Sequence, residues 1–501
     1  MKRKISATMS TQHPDHASVP YWHDNEFIST NLESKETYLS FSELGIYEYK
    51  WDWEGKLVDE SVLERLFGEY FEFFKKNPLG QQTYLTFRLP NPKVETEFRI
   101  GRAFMNLASA ASVAKHFGLP TPPLFEVILP MTADAESIIE IQTAYQDIHS
   151  LKHPLYRLEK ILTNPRVIPL FEDVETIINS DKIIEKYVGL YEKEFKKKPA
   201  RIRPYVARSD PALNFGMIPT VIAIKIALSR YRILSKKLKI PFYPIIGAAV
   251  LPFRGGIDPL HIKKFVDEYK GIRTTTIQSA FRYDFDKKDV IEAVKYLEDT
   301  LPTLKADIIP EKDENIMIDL IPFFEKNYRE TIEKIAPLIN KVASFLPRRR
   351  ERVQHIGLFG YSRGVGKVKL PRAIGFTAAL YSIGVPPEFI GTGRGLKNAK
   401  NLGQLDTVKK YYKYLAEDMD QAGRFLNREN LEILSKKSPV WKKITEDIKD
   451  VEDTLGIKLG PVTKEEHDHQ KLTTQIYKKI ESGESPTELI VKSALIRKSL
   501  G

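Results

Sequence analysis

The chain has 501 residues, 42% of them hydrophobic, which is enough to bury a large core and too long for one small domain. Without cysteine it can form no disulfide, thiolate zinc site or cysteine nucleophile, and no apolar stretch approaches the roughly 20 residues of a membrane span, so a cytoplasmic protein without a membrane partner is expected. A formal net charge of +11 leaves nucleic-acid binding to be weighed, but most lysines lie beside acids along helices, as in "EKYVGLYEKEFKKKP", which predicts solvated faces and suits a protein that binds anionic metabolites.

The N-terminal stretch, MKRKISATMSTQHPD, carries basic residues with no apolar run behind them, so no secretory signal is expected. From there to about residue 300 one rhythm holds. A short run of strand-type residues ends in polar or charged side chains, and a stretch with helical spacing follows. The strand-type runs are "ISATMSTQHPD", "YEYKWDWEGK", "TYLTFRLPNP", "LFEVILPMT", "RVIPLFED", "IRPYVARSD", "YPIIGAAVLPFRGG" and "TTTIQSAFRYD". Between them lie helical stretches such as "ESVLERLFGEYFEFFKK", "EFRIGRAFMNLASAASVAKHFG" and "VIAIKIALSRYRILSKKL". Strand–helix alternation predicts a parallel sheet, and eight units over residues 1–302 are the count and size of a (β/α)8 TIM barrel. The alternative is an open doubly wound sheet, which would favour a G-x-G-x-x-G turn after the first strand; "QHPDHASVP" is not one.

After residue 302 the rhythm breaks. "ENIMIDLIPFFEKNYRETIEKIAPLINKVASFL" has helical spacing. A Gly- and Arg-rich stretch follows, then amphipathic helices to residue 501. Residues 303–501 are therefore expected to form a helical extension packed on the barrel, with a Gly/Arg-rich active-site loop near 357–372. The dense run Arg348-Arg349-Arg350-Glu351-Arg352 has no aromatic platform for nucleic acid nearby; capping a helix or binding a metabolite are its other readings.

In a barrel of this kind the C-terminal ends of all strands face one mouth. That mouth would receive His13 and Asp15 from the first strand, Asp52 and Glu54 from the second, and Arg88 from the third. Glu172 would come from the fifth, Asp210 from the sixth, Arg254 from the seventh, and Gln278, Ser279, Arg282 and Asp284 from the eighth. Glu172 and Asp210, without histidine or cysteine beside them, suit a hard divalent cation, Mg2+ or Mn2+; the other reading is that such acids only start helices, and Asp173 before "VETII" is expected to do that alone. Arg88, Arg254 and Arg282, with Gly255 and Gly256 allowing close backbone approach, point to a phosphate-bearing carboxylic acid. His13 has the pKa class for proton transfer near neutrality, though a lone histidine is more often structural than catalytic.

Taken together, "TMSTQHPD", "KWDWEGK", "TFRLPNP", "IPLFED", "RPYVARSDPALNFGMI", "GAAVLPFRGG", "TTTIQSAFRYD" and "FGYSRGVGKVKLPRAIGFTAALYSIGVPPEFIGTGRG" resemble the archaeal-type, short form of phosphoenolpyruvate carboxylase across nearly the whole chain. The resemblance implies a catalytic role for His13, whose "TQHPD" is similar to the long form's T-A-H-P-T, and for Arg254 in "LPFRGG", similar to F-H-G-R-G-G without its histidine. It implies metal ligation by Glu172, through "VIPLFE", and by Asp210, through "VARSDP", which is similar to G-Y-S-D-S. Arg88 is expected to bind phosphoenolpyruvate. Gln278 and Arg282 match a T-E-Q-G-E segment only loosely. The long form's second G-R-G-G loop has no counterpart near residue 260, and Arg363, Lys367 and Arg372 are expected to replace part of it. The terminal Q-N-T-G of that form is absent; this sequence ends IRKSLG.

The implied reaction joins bicarbonate to phosphoenolpyruvate through carboxyphosphate and a metal-stabilised enolate, giving oxaloacetate and inorganic phosphate. "GYSRGVGKVKLP" is expected to act as a closing lid or, alternatively, as a static surface loop. A homotetramer and an inhibitory dicarboxylate effector are further implications of the resemblance. The rival readings are another Mg2+-dependent lyase or aldolase acting on a pyruvate enolate, and a basic nucleic-acid binder.

Overall fold

In the computed structural model, which describes residues 4–56, 58–93, 95, 98–119, 124–151, 165–351 and 368–501, each strand-type run becomes a strand. They are β1 (Thr8–Thr11), β2 (Glu48–Asp52), β3 (Tyr84–Arg88), β4 (Leu124–Leu129), β5 (Arg166–Phe171), β6 (Tyr205–Ala207), β7 (Ile245–Gly247) and β8 (Thr274–Ile277). Every neighbour pair is parallel, and β8 returns to β1 with Thr8 opposite Thr275, so the sheet closes in chain order and has no edge. That closure decides for the barrel over the open sheet.

Helices follow the strands, among them Glu33–Ser42, Arg99–His116, Ala135–His149, Ser180–Phe195, Met217–Leu238 and Lys287–Thr300. Their apolar stripes cover the outer face of the strands and form one continuous core with the C-terminal helices. Two of the turns that enter helices show why acids sit there: Asp134 accepts from the Ser137 amide at 2.7 Å and Asp173 from the Thr176 amide at 2.8 Å. Asp173 is thus the helix cap its position predicts.

The C-terminal helices begin with Glu311–Ala343, 33 residues long, which packs against Met217–Leu238, Ala373–Ser382 and Thr392–Asn401. No single helix among the described residues is long and apolar enough to cross a membrane. The proposed lid residues 360–367, with Arg363 and Lys367, lie outside the described residues, as does Arg352.

Inside the barrel, the end away from the site is closed by charge. The buried Arg203 guanidinium reaches Glu48 Oε1 and Oε2, both at 2.9 Å, Glu126 Oε2 at 2.7 Å and Thr274 Oγ1 at 3.2 Å. One side chain therefore ties together β2, β4, β8 and the segment entering β6, the alternate-strand layering of such barrels in polar form. Above it lies an apolar cluster of Met9, Ile128, Ile168, Leu170, Tyr205, Ala207 and Ile245. Arg203→Met leaves two buried carboxylates facing each other and is expected to lower stability at pH 7 by about 3–5 kcal/mol. The orphaned carboxyls must then take up protons more readily when folded than when unfolded, so the deficit shrinks as pH falls towards 5; thermal unfolding at the two pH values checks both the loss and its sign.

Candidate active site

The strand ends and the C-terminal helices enclose a cavity of about 470 Å3. Its wall includes His13, Lys50, Arg88, Glu172, Tyr205, Asp210, Arg254 and Gln278 from the barrel, and Arg348 and Arg372 from beyond it. Of the predicted site residues, His13, Arg88, Glu172, Asp210, Arg254, Gln278 and Arg372 are thus brought to one space.

The β5 end presents Glu172, a buried carboxylate whose Oε2 accepts the Met131 amide at 2.6 Å. Met131 holds a left-handed backbone, φ 48°, a conformation that costs a non-glycine residue energy and here aims its N–H at that carboxylate. Asp210 does not end a strand as expected; it opens the short helix Ser209–Phe215 directly after β6. The negative charges of both Glu172 and Asp210 act on the Tyr205 phenol, whose pKa burial already drives up. They are oxygen donors flanking one space, and this donor set fits a hard divalent cation that keeps other positions for water or substrate.

The rest of the wall carries cations, and Arg254 stands beside Asp210. Arg88 at the β3 end gives its Nε to Asp52 Oδ1 at 2.8 Å and its Nη1 to Glu54 Oε2 at 2.5 Å. Arg254 is held from several sides: Nε donates to Ser209 Oγ at 3.1 Å, Nη1 to Asp15 Oδ2 at 3.3 Å and to the Gly501 oxygen, and Nη2 to Gln278 Oε1 at 2.7 Å. Gln278 in turn donates to the Ala248 carbonyl at 3.1 Å. Its amide therefore fixes Arg254, whatever else it meets in the cavity. Gly255 and Gly256, at φ 128° and 68°, turn the chain back on itself. A Cβ on Gly255 would meet Ala248 Cβ at 2.7 Å, so the close approach that requires glycine there is to the protein's own backbone, where a ligand was expected.

His13, half-buried, has Nδ1 2.7 Å from Thr11 Oγ1, which orients the ring. Burial, then the charges of Lys50, Arg88 and Arg254, hold its pKa well below the usual 6.5, although Asp52 opposes them. The imidazole is neutral near pH 7 and able to accept a proton.

Arg282 does not reach the cavity. Its side chain is completely buried behind β8, with Nη1 on Ser40 Oγ at 3.0 Å and Nη2 on the Thr11 carbonyl at 2.7 Å and Glu36 Oε1 at 3.0 Å. Glu36 also receives Arg350 at 2.5 and 2.8 Å, Tyr283 at 2.6 Å and Tyr49 at 2.7 Å. Burial alone would push the Glu36 carboxyl up, but Arg350 and Arg282 together hold it well below the usual carboxylate range. Asp284 likewise faces away, accepting the Ala17 and Ser18 amides at 2.8 and 2.7 Å.

Two contributions escape the sequence reading. Lys50 alternates with Glu48 and Asp52 along β2, between Tyr49, Trp51 and Trp53; a strand with one charged and one aromatic face is the signal that its charged face looks inward. The basic run supplies the other. Arg350 is buried on Glu33 and Glu36, Arg349 donates to the His16 and Ala17 carbonyls and to Glu26, and Arg348 stands exposed at the cavity rim. The run is thus neither a helix cap nor a surface for nucleic acid. The first turn of the helix Ala373–Ser382 also lines the cavity, adding its positive dipole end to Arg372.

A family profile described as phosphoenolpyruvate carboxylase matches residues 5–501. A protein of Metallosphaera sedula named phosphoenolpyruvate carboxylase is 38% identical over 518 residues, covering 100% of both chains. One of the same name from Methanospirillum hungatei is 38% identical over 519 residues, covering 99% of this chain and 100% of that one. A third, from Leuconostoc mesenteroides, is 36% identical over 503 residues, covering 100% of this chain and 99% of the other. With a matching profile along nearly its whole length and relatives of the same span, the chain belongs to the phosphoenolpyruvate carboxylase family, in its short archaeal-type form.

Proposed function

We propose that this chain joins bicarbonate to phosphoenolpyruvate, giving oxaloacetate and inorganic phosphate, and that Glu172 and Asp210 hold the Mg2+ or Mn2+ it uses. The observation that carries this is one cavity lined by two carboxylates, arginines and a neutral histidine, within a chain of this family. A divalent ion there would supply Lewis-acid stabilisation of the negative charge that grows on the substrate's oxygens.

The protein's own groups do the rest. Arg88, Arg254 and Arg372, with the N-terminus of Ala373–Ser382, bind the phosphoryl group and offset its charge during transfer. A bicarbonate oxygen attacks phosphorus and the bond from phosphorus to the enol oxygen breaks, leaving carboxyphosphate and the enolate of pyruvate. His13 accepts the carboxyphosphate proton as that species splits to CO2 and phosphate. The enolate carbon then attacks CO2. Arg254, braced by Asp15, Ser209 and Gln278, is held in place for this sequence without reorganising.

In an assay coupled to malate dehydrogenase, oxaloacetate is expected only when phosphoenolpyruvate, bicarbonate and Mg2+ or Mn2+ are all present. Product formed without bicarbonate overturns the assignment. Glu172→Gln and Asp210→Asn are each expected to cut kcat by about 100-fold or more, the scale seen when groups that bear transition-state charge are removed, and to raise the metal concentration for half-maximal rate. NMR of 13C-histidine-labelled protein, with His13→Asn for assignment, is expected to show His13 titrating below the ordinary value of about 6.5. A midpoint above that value contradicts the cationic environment drawn here.

A further inference from the structure

Lys50 has no part in the chemistry above, yet it lies on the cavity wall with only 1% of its surface exposed. Burying an ammonium on a wall it shares with Leu170 and Tyr205 is costly unless something accepts its hydrogen bonds. An ammonium has three donors. Among the described residues Lys50 has one ion-pair partner, Asp52 Oδ1 at 3.3 Å, and that oxygen already takes Arg88 Nε at 2.8 Å. Arg88 also has Glu54, so Asp52 and Glu54 are served without Lys50. The remaining donors have the cavity to face. The position is also next to the base, for no other charge acts on His13 as strongly as that of Lys50.

Resting on the function proposed above, we infer that Lys50 is a further catalytic residue, its ammonium donating to the oxygens of bicarbonate and then to those of the CO2 released beside His13. The group remains largely protonated at neutral pH, although burial, then Arg88, lowers its pKa to about 8. In the first step it draws bicarbonate to the side of the cavity where His13 can reach its proton. In the second it keeps CO2 against the enolate while the carbon–carbon bond forms. Without it CO2 escapes, the enolate carbon takes a proton from water, and the products are pyruvate and phosphate, with bicarbonate regenerated as CO2 hydrates. The atoms balance as hydrolysis of phosphoenolpyruvate, and no other reactant is needed.

The test is Lys50→Met, which replaces most of the unbranched stem without the charge and leaves Asp52 with Arg88; Lys50→Gln, which can still donate to Asp52, serves if the first does not fold. Oxaloacetate and pyruvate are measured separately, with malate and lactate dehydrogenase, against bicarbonate and phosphoenolpyruvate concentration. Expected are a KM for bicarbonate raised about 10-fold or more, a KM for phosphoenolpyruvate within about threefold of wild type, and a larger pyruvate fraction, the separation that marks loss of one substrate's contact. Removing the charge is also expected to raise the His13 midpoint in the NMR titration. A wild type that makes no oxaloacetate overturns the function and the inference together. A wild type that does, with a folded variant whose bicarbonate KM and product ratio are unchanged, or whose two KM values rise equally, overturns the inference alone.

Discussion

Charge taken inside a protein has to be matched by charge, and the interior of this barrel is unusually full of it. Glu48, Lys50, Asp52, Arg88, Glu126 and Arg203 are all buried within or beside the strands. At the closed end Arg203 is directed onto Glu48 and Glu126, which hold it between the strands. At the open end the cations are held from behind, Arg88 by Asp52 and Glu54, Arg254 by Asp15 and Gln278, and line a cavity in front. That difference between the two ends turns a packed cylinder into a site for anions. It also fixes the guanidinium groups before substrate arrives, so that little reorganisation is left to oppose binding.

The helices beyond the barrel are part of this arrangement. Glu388, buried, receives the Phe253 amide at 2.8 Å and so fixes the turn that carries Arg254. The Leu500 amide donates to the Asp15 carbonyl at 2.7 Å, and Gly501 meets Arg254 itself. Ile28 pairs with Arg350 in a bridge that lays the arginine run along the mouth, and Glu36 then fastens that run, through Arg282, to the short helix Ser279–Tyr283 that follows β8. Removing the Glu36 carboxylate would leave the buried Arg282 and Arg350 without their shared partner, which costs more than the pairing itself contributes.

The barrel was legible because strand-type runs and helical stretches alternate without a break, and each run ends in the residues that need the mouth. His13, Arg88 and Glu172 could be placed from that rule alone, whereas Arg254 lies in a 3-10 turn, Pro252–Arg254, beyond the end of β7. Asp210 could be placed nearly so, one helical turn further on than a strand end. Arg282 follows the same pattern and still points elsewhere. Its partner Glu36 is 246 residues away in sequence, so nothing local reveals that the guanidinium is already spent. Gln278 looked like a substrate ligand, but an amide beside an arginine can equally hold that arginine. Lys50 was hidden among aromatics in a strand whose ending, Asp52-Trp53-Glu54, drew attention first. What could not be read was pairing across the fold; what could be read was periodicity.

The cations on the cavity wall also set the protonation state of His13. With the cavity free of anions, burial and then Lys50, Arg88 and Arg254 make a proton on His13 unfavourable, so the ring is neutral. Phosphoenolpyruvate and bicarbonate bring several negative charges into the same low-dielectric space, and those charges offset the cations as seen from the imidazole. The basicity of His13 must therefore rise as the site fills. Under the proposed mechanism, a histidine kept neutral before anions enter becomes the stronger base only when a proton is about to be released next to it. No conformational change is required for this coupling, only the shared electrostatic field of groups already locked in place by Asp15, Asp52 and Glu54.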